Sequence, residues 1–274
     1  MWKLFGHHIL NDLRHGIIGQ WKKYGIACMI MILICFQYLP VLELVRKSGG
    51  VPISYGDYLL FVFKGMAIIN PNDMALDINV FWLIYNFFIA FIVSYYPFKD
   101  ITGYGQQILI RSQKRSFWWL GKCVWVLSSV LAYYLLTYLI ISIFTLFSGG
   151  NFDIFPQYSI QSTDLPGIHT FYDLFLIGIV MPIVTSICLS LLQLLLSLIM
   201  KPILSIMVVL ALLTFSIFIC ADWAIGNYTM VVRSSFMIES GVNPVNGLII
   251  MSALSIISVI AGLFVFKQKD IFSH

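Results

Sequence analysis

Three groups of residues in this 274-residue chain have types and spacings that could do chemistry. The first is Arg111, Lys114 and Arg115, within the stretch KDITGYGQQILIRSQKRSFWWLGK, where Ile101, Gln106, Gln107, Ile108 and Leu109 precede them and Trp118 and Trp119 follow. An aliphatic run leading into a cationic cluster suits docking: aliphatic side chains fill a groove on a partner, and guanidinium groups meet its acidic rim. Plain cationic anchoring beside a membrane, with a tryptophan belt, would use the same residue types. The second group is His7, His8 and His15. It has no same-face i,i+4 His pair, and no Cys or carboxylate cluster joins it, so it reads as interfacial histidines rather than a metal site. The third is Arg233 with Glu239, in the mildly apolar stretch DWAIGNYTMVVRSSFMIESGVNPVNG.

The motifs of common catalytic centres are missing. There is no G-x-x-x-x-G-K-[ST], so the chain has no P-loop for ATP, and neither H-E-x-x-H nor G-x-S-x-G occurs. The five cysteines (Cys28, Cys35, Cys123, Cys188, Cys220) lie in or beside apolar runs without a C-x-x-C, and read as small buried hydrophobes. A net charge of +4 makes no electrostatic case for nucleic acid. The expectation is a non-enzyme with no cofactor and no metal of its own.

The elements that must position these residues are membrane spans. Hydrophobic residues make up 60% of the chain and charged residues 10%, with a mean hydropathy of +0.92. These values leave too few polar groups to cover a soluble surface, where roughly 25% charge is usual. Six runs are long enough to cross a bilayer, at about 20 apolar residues each: 24–44, 78–96, 117–147, 174–200, 203–221 and 247–266. Lys201 and Pro202 separate the fourth from the fifth in a tight hairpin, and Pro182 is expected to kink the fourth. Residues 58–69 (YLLFVFKGMAII) are apolar but short, and Lys64 interrupts them. They suit an interfacial or re-entrant piece better than a crossing. Residues 1–23 have the periodicity of an amphipathic helix lying along the interface. The fold class is therefore an all-α integral membrane protein, a single domain over 1–274.

Six spans with the N-terminus inside place twelve Lys and Arg on the cytosolic side: Lys3, Arg14, Lys22, Lys23, Lys99, Arg111, Lys114, Arg115, Lys122, Lys201, Lys267 and Lys269. Four fall outside: Arg46, Lys47, Lys64 and Arg233. Twelve against four sets both termini in the cytosol. Few ionisable residues fall within the apolar cores, and no inverted repeat is visible, which counts against an ion-coupled transporter. The energy source is expected in another chain.

This architecture resembles the permease subunit of a bacterial ABC-2-type exporter, especially of peptide and bacteriocin export or immunity systems. The stretch YGQQILIRSQKRSFWWLGK resembles the first cytosolic coupling loop of such permeases, and LNDLRHGIIGQWKKYG is similar to their elbow helix. Arg111 and Arg115 match the pattern; the long loop 45–77 does not match it well. The resemblance implies a coupling helix within residues 100–116. Gln107, Ile108, Leu109, Arg111, Lys114 and Arg115 would there face an ATP-binding-cassette ATPase that binds ATP and Mg. It also implies a second permease subunit, identical or paralogous, and a bacterial plasma membrane. The substrate would be hydrophobic or amphipathic, with a peptide favoured. For Arg233 and Glu239 it implies short re-entrant helices near an outer exit; an ordinary interfacial loop is the other reading. A peptide-binding immunity or sensor protein, and a membrane enzyme or assembly factor, are the alternatives.

Overall fold

The computed structural model describes residues 2–47, 53–68, 79–101, 103, 115–156 and 171–268. Two helices open the chain: α1 (Trp2–Gly16) and, after one 3-10 turn, α2 (Trp21–Lys47). A short α3 (Tyr55–Phe63) precedes α4 (Val80–Ser94) and the one-and-a-half-turn α5 (Tyr96–Ile101). The long α6 (Arg115–Phe147) follows, then α7 (Phe171–Phe175), a π turn (Leu176–Val180) and α8 (Met181–Ile199). After α9 (Pro202–Phe218), two 3-10 turns (Ile225–Thr229 and Val231–Arg233) lead into α10 (Pro244–Gln268). Among the described residues there is no strand, only two isolated bridges, Ser54 with Asn151 and Ser234 with Val242.

Five helical stretches are long and apolar enough to cross a membrane: Ile9–Pro40, Val80–Asp100, Arg115–Phe147, Phe171–Ile199 and Pro244–Gln268. The sixth expected span appears as the shorter apolar helix Pro202–Phe218. It ends three residues before the expected 221, where Ile219 takes an extended conformation. Residues 58–69 begin inside α3, whose nine residues are under half a crossing. Ser54 caps α3 by accepting from Asp57 N at 3.3 Å, while the buried Asp57 carboxylate accepts from Ser54 N at 2.9 Å.

The axis of the fold is α6, which packs against α1, α2, α3, α4, α8 and α10. Its 33 residues reach about 50 Å. Inside the bundle its tyrosines make the cross-links. Tyr85 and Thr137 pair through their hydroxyls at 3.1 Å, Tyr133 donates to Tyr85 O at 3.1 Å, and Tyr134 shares a bond with Ser186 Oγ at 2.8 Å. A polar group in hydrocarbon has no water to turn to, so such hydroxyls bond across helices.

Just before Pro182, where a kink is expected, the helix carries the π turn. Proline has no N–H to give to the carbonyl four residues back, here Gly178. The helix widens there, with Met181 N bonding back five residues to Leu176 O. Tyr138 of α6 then supplies its hydroxyl to Ile179 O at 3.3 Å and Gly178 O at 3.5 Å.

Candidate functional site

The site begins at the start of α6, immediately after the basic loop. Residues 102 and 104–114 are outside the described residues, so Gln107, Ile108, Leu109, Arg111 and Lys114, as a coupling helix, lie outside them too. The two flanks of the loop are described. On one side α5 carries Tyr96 and Asp100, four residues apart and therefore on one helix face. On the other, α6 carries Trp118 and Lys122 with the same spacing. These two faces meet.

Lys122 is fully buried at their centre. Its ammonium lies 2.8 Å from Asp100 Oδ2 and 2.5 Å from Asp12 Oδ1 of α1. Tyr96 donates its hydroxyl to Asp12 Oδ1 at 3.0 Å, and the Trp118 indole donates to Asp100 Oδ2 at 2.9 Å. The ammonium also sits 4.6 Å from the Tyr96 ring centroid and 5.2 Å from that of Trp118, a cation–π cage. Burying a charge is tolerable only when it is paired and hydrogen-bonded, and Lys122 has both.

Small residues let the helices close on this centre. A Cβ at Gly16 would lie 2.0 Å from Trp125 Nε1, and one at Gly121 would lie 3.1 Å from Asp12 Oδ2. The end of α10 docks on the same stretch of α6. Trp119 donates to Val259 O at 2.9 Å, with its ring over Gly262, and Trp118 stacks on Phe266 at 4.8 Å between centroids. Arg115 is described and donates to Lys267 O at 2.9 Å. Thus α1, α5 and α10 are all fastened to the first turns of α6.

Lys122 thereby changes its reading. Counted in the sequence among the twelve cytosolic cations, it is an internal ion-pair partner. The available signal was a lone Lys one turn after Trp118, inside an apolar helix, with Asp12 and Asp100 at the ends of two neighbouring segments.

Arg233 forms a second centre, far from the first in the chain. It is 1% exposed and has no carboxylate partner among the described residues. Its guanidinium donates to five carbonyl-type oxygens. Nε reaches Met66 O at 2.8 Å; Nη1 reaches Ser216 O, and Asn227 Oδ1 at 2.8 Å; Nη2 reaches Ile217 O at 2.6 Å and Ala67 O at 3.1 Å. Ser216 and Ile217 belong to the last turn of α9, whose carbonyls have no partner inside the helix and carry the negative end of its dipole. Burial lowers the Arg233 pKa from its ordinary value. Burial also raises that of the neighbouring Tyr228 to about 12, with the Asp222 charge adding to it.

The segment after α3 is held in this knot. Val232 N donates to Lys64 O at 3.2 Å, and Trp82 donates to Thr229 O at 3.2 Å. Gly65 has φ +72°, and a Cβ there would lie 2.4 Å from Met230 Cβ, so glycine is required on both counts. The stretch 226–246 contains two short 3-10 turns, and Met230, Val231 and Met237 are buried against protein. Glu239 is exposed and takes no part in the knot.

No curated protein and no solved structure matches this chain. Residues 55–272, from α3 through α10, match the family model described as "Protein of unknown function (DUF2705)". With most of its length matched, the chain belongs to the DUF2705 family.

Proposed function

We propose that this chain is the membrane-spanning permease subunit of an ATP-driven exporter of the ABC-2 type. Its six apolar helices would all cross the bacterial plasma membrane, with both termini in the cytosol. Two such subunits, identical or paralogous, would enclose the pathway, and separate ATPase subunits would bind ATP and Mg beneath them. The substrate class that suits a largely aliphatic and aromatic bundle is a hydrophobic or amphipathic molecule, a peptide foremost.

One observation carries the reading. The basic stretch joins α5 to α6 in the chain, and its two flanks are clamped together by the Asp100–Lys122 pair at 2.8 Å, with α1 bound into the same cluster through Asp12. A partner that pushes residues 104–114 would push a fastened base. The 33-residue α6 would carry that displacement across the bundle.

The test is co-expression with a candidate ATP-binding-cassette ATPase, followed by co-purification and substrate-stimulated ATP hydrolysis. Leu109→Asp and Arg111→Glu should release the ATPase or uncouple hydrolysis from transport, while Lys114→Ala should be mild. Aliphatic anchors and a desolvated Arg each carry about 2 kcal/mol or more at an interface, and rim charges less. Normal ATPase binding and transport in both of the first two variants would leave the loop as a topological anchor and remove the basis for the export reading.

A further inference from the structure

The pairing of Asp12 has an effect on the opposite face of α1. Asp12 is the sole Asp or Glu in residues 1–42, and the cluster around Lys122 takes it into the interior. Arg14, two residues on, is about 200° further round the helix. Arg14 and Lys22 are exposed, and neither makes an ion pair among the described residues. Around them stand large apolar side chains in the open: Leu10 at 64% exposure, Ile18 at 68% and Trp21 at 67%. The outward surface of the N-terminal segment is therefore apolar and cationic with no compensating anion of its own.

What covers that surface follows from where it leads. The exposed residues continue without a break into Met29, Leu33 and Phe36 on α2, one of the helices long and apolar enough to lie in a bilayer. Acyl chains that bathe Met29 and Leu33 bring their headgroups to the level of Trp21, Lys22 and Arg14. A zwitterionic headgroup brings a cation with its phosphate and so offers the two side chains no net counter-charge, while an anionic headgroup does. We infer that α1 and the turn after it form a binding surface for anionic phospholipid, with Arg14 and Lys22 taking the phosphate-bearing headgroup and Leu10, Ile18 and Trp21 lying among the upper acyl carbons.

The full-length protein, reconstituted in mixed vesicles, provides the test. Brominated phosphatidylglycerol and brominated phosphatidylcholine are compared as quenchers of tryptophan fluorescence, and the difference between the native chain and Trp21→Phe isolates the Trp21 signal. The native chain should prefer phosphatidylglycerol at Trp21 by roughly fivefold per cation. Arg14→Gln with Lys22→Gln should bring the two lipids level without changing quenching by phosphatidylcholine, whereas Lys201→Gln with Lys267→Gln should leave the preference intact. Equal quenching by both lipids in the native chain would overturn the inference, as would an equal loss in both double variants, which would make the preference one of total charge. Efficient disulfide dimers through Leu10→Cys, with Trp21 shielded from both lipids, would assign the surface to a second copy and overturn it as well.

Discussion

Lys122 Nζ and Asp100 Oδ2, separated by 22 positions in the chain, lie 2.8 Å apart and hold α5 against the start of α6. Because Asp12 meets the same ammonium, three segments share one buried charge centre. Removing one partner leaves the others without their counter-charge in a buried site, which costs far more than the pair itself is worth.

Lys122→Met should therefore destabilise the folded protein by about 3–5 kcal/mol. The triple change Lys122→Met, Asp12→Asn, Asp100→Asn should recover a large part of the loss. Thermal unfolding in detergent reads both. A triple variant no more stable than Lys122→Met would show that packing around the lysine stem, not charge, sets the energy.

Arg233→Lys should fail to replace arginine at the knot around it. Lysine has three donors on a point charge where five carbonyl-type oxygens wait for a planar fork. Each buried acceptor left unmet costs about 1–3 kcal/mol. Limited proteolysis should then cut within residues 219–243 far faster than in the native chain. Unchanged protection in Arg233→Lys would mean that the knot is held by its backbone bonds alone.

Gly262→Val places a branched side chain where even a Cβ would lie 1.9 Å from the Trp119 ring. Overpacking of this kind costs about 1–3 kcal/mol, and the indole must give up its bond to Val259 O. The expected result is a lower unfolding temperature with a shifted Trp emission. Gly6→Ala, where a Cβ meets nothing within 4 Å, serves as the control that should change neither.

A cysteine placed at residue 272 should be labelled only from the cytosolic side by a membrane-impermeant maleimide, in a background from which the five native cysteines have been removed. The excess of Lys and Arg in the loops assigned to that side motivates this outcome. Labelling from outside would refute six crossings and the export reading with them.

Much of the helix order could be read from hydropathy alone, since a run of about 20 apolar residues has few other fates. The expected 117–147 and the observed Arg115–Phe147 differ by two residues at one end. Residues 58–69 are legible as a short apolar piece that Lys64 interrupts, and the helix found there, Tyr55–Phe63, stops just before that lysine. What hydropathy could not supply was pairing at long range. Asp12, Asp100 and Lys122 are far apart in sequence, and each alone resembles a surface charge. Arg233 posed the same difficulty in a stronger form, since its partners are backbone carbonyls, which no residue type advertises.

The π turn at Leu176–Val180 bears on how the fourth apolar helix should be aligned with related chains. A π turn holds one residue more than an α turn, so the helix upstream of it is about 100° out of phase with the helix downstream. Upstream, Leu174 is buried while Phe171 and Phe175 stack on each other at 6.1 Å and stay exposed. A relative lacking a single residue here would have a continuous α-helix with Phe171 and Phe175 turned by that angle. One-residue gaps near Pro182 in family alignments would then mark a rotation of one end of a helix, which a gap-free alignment would score as substitutions.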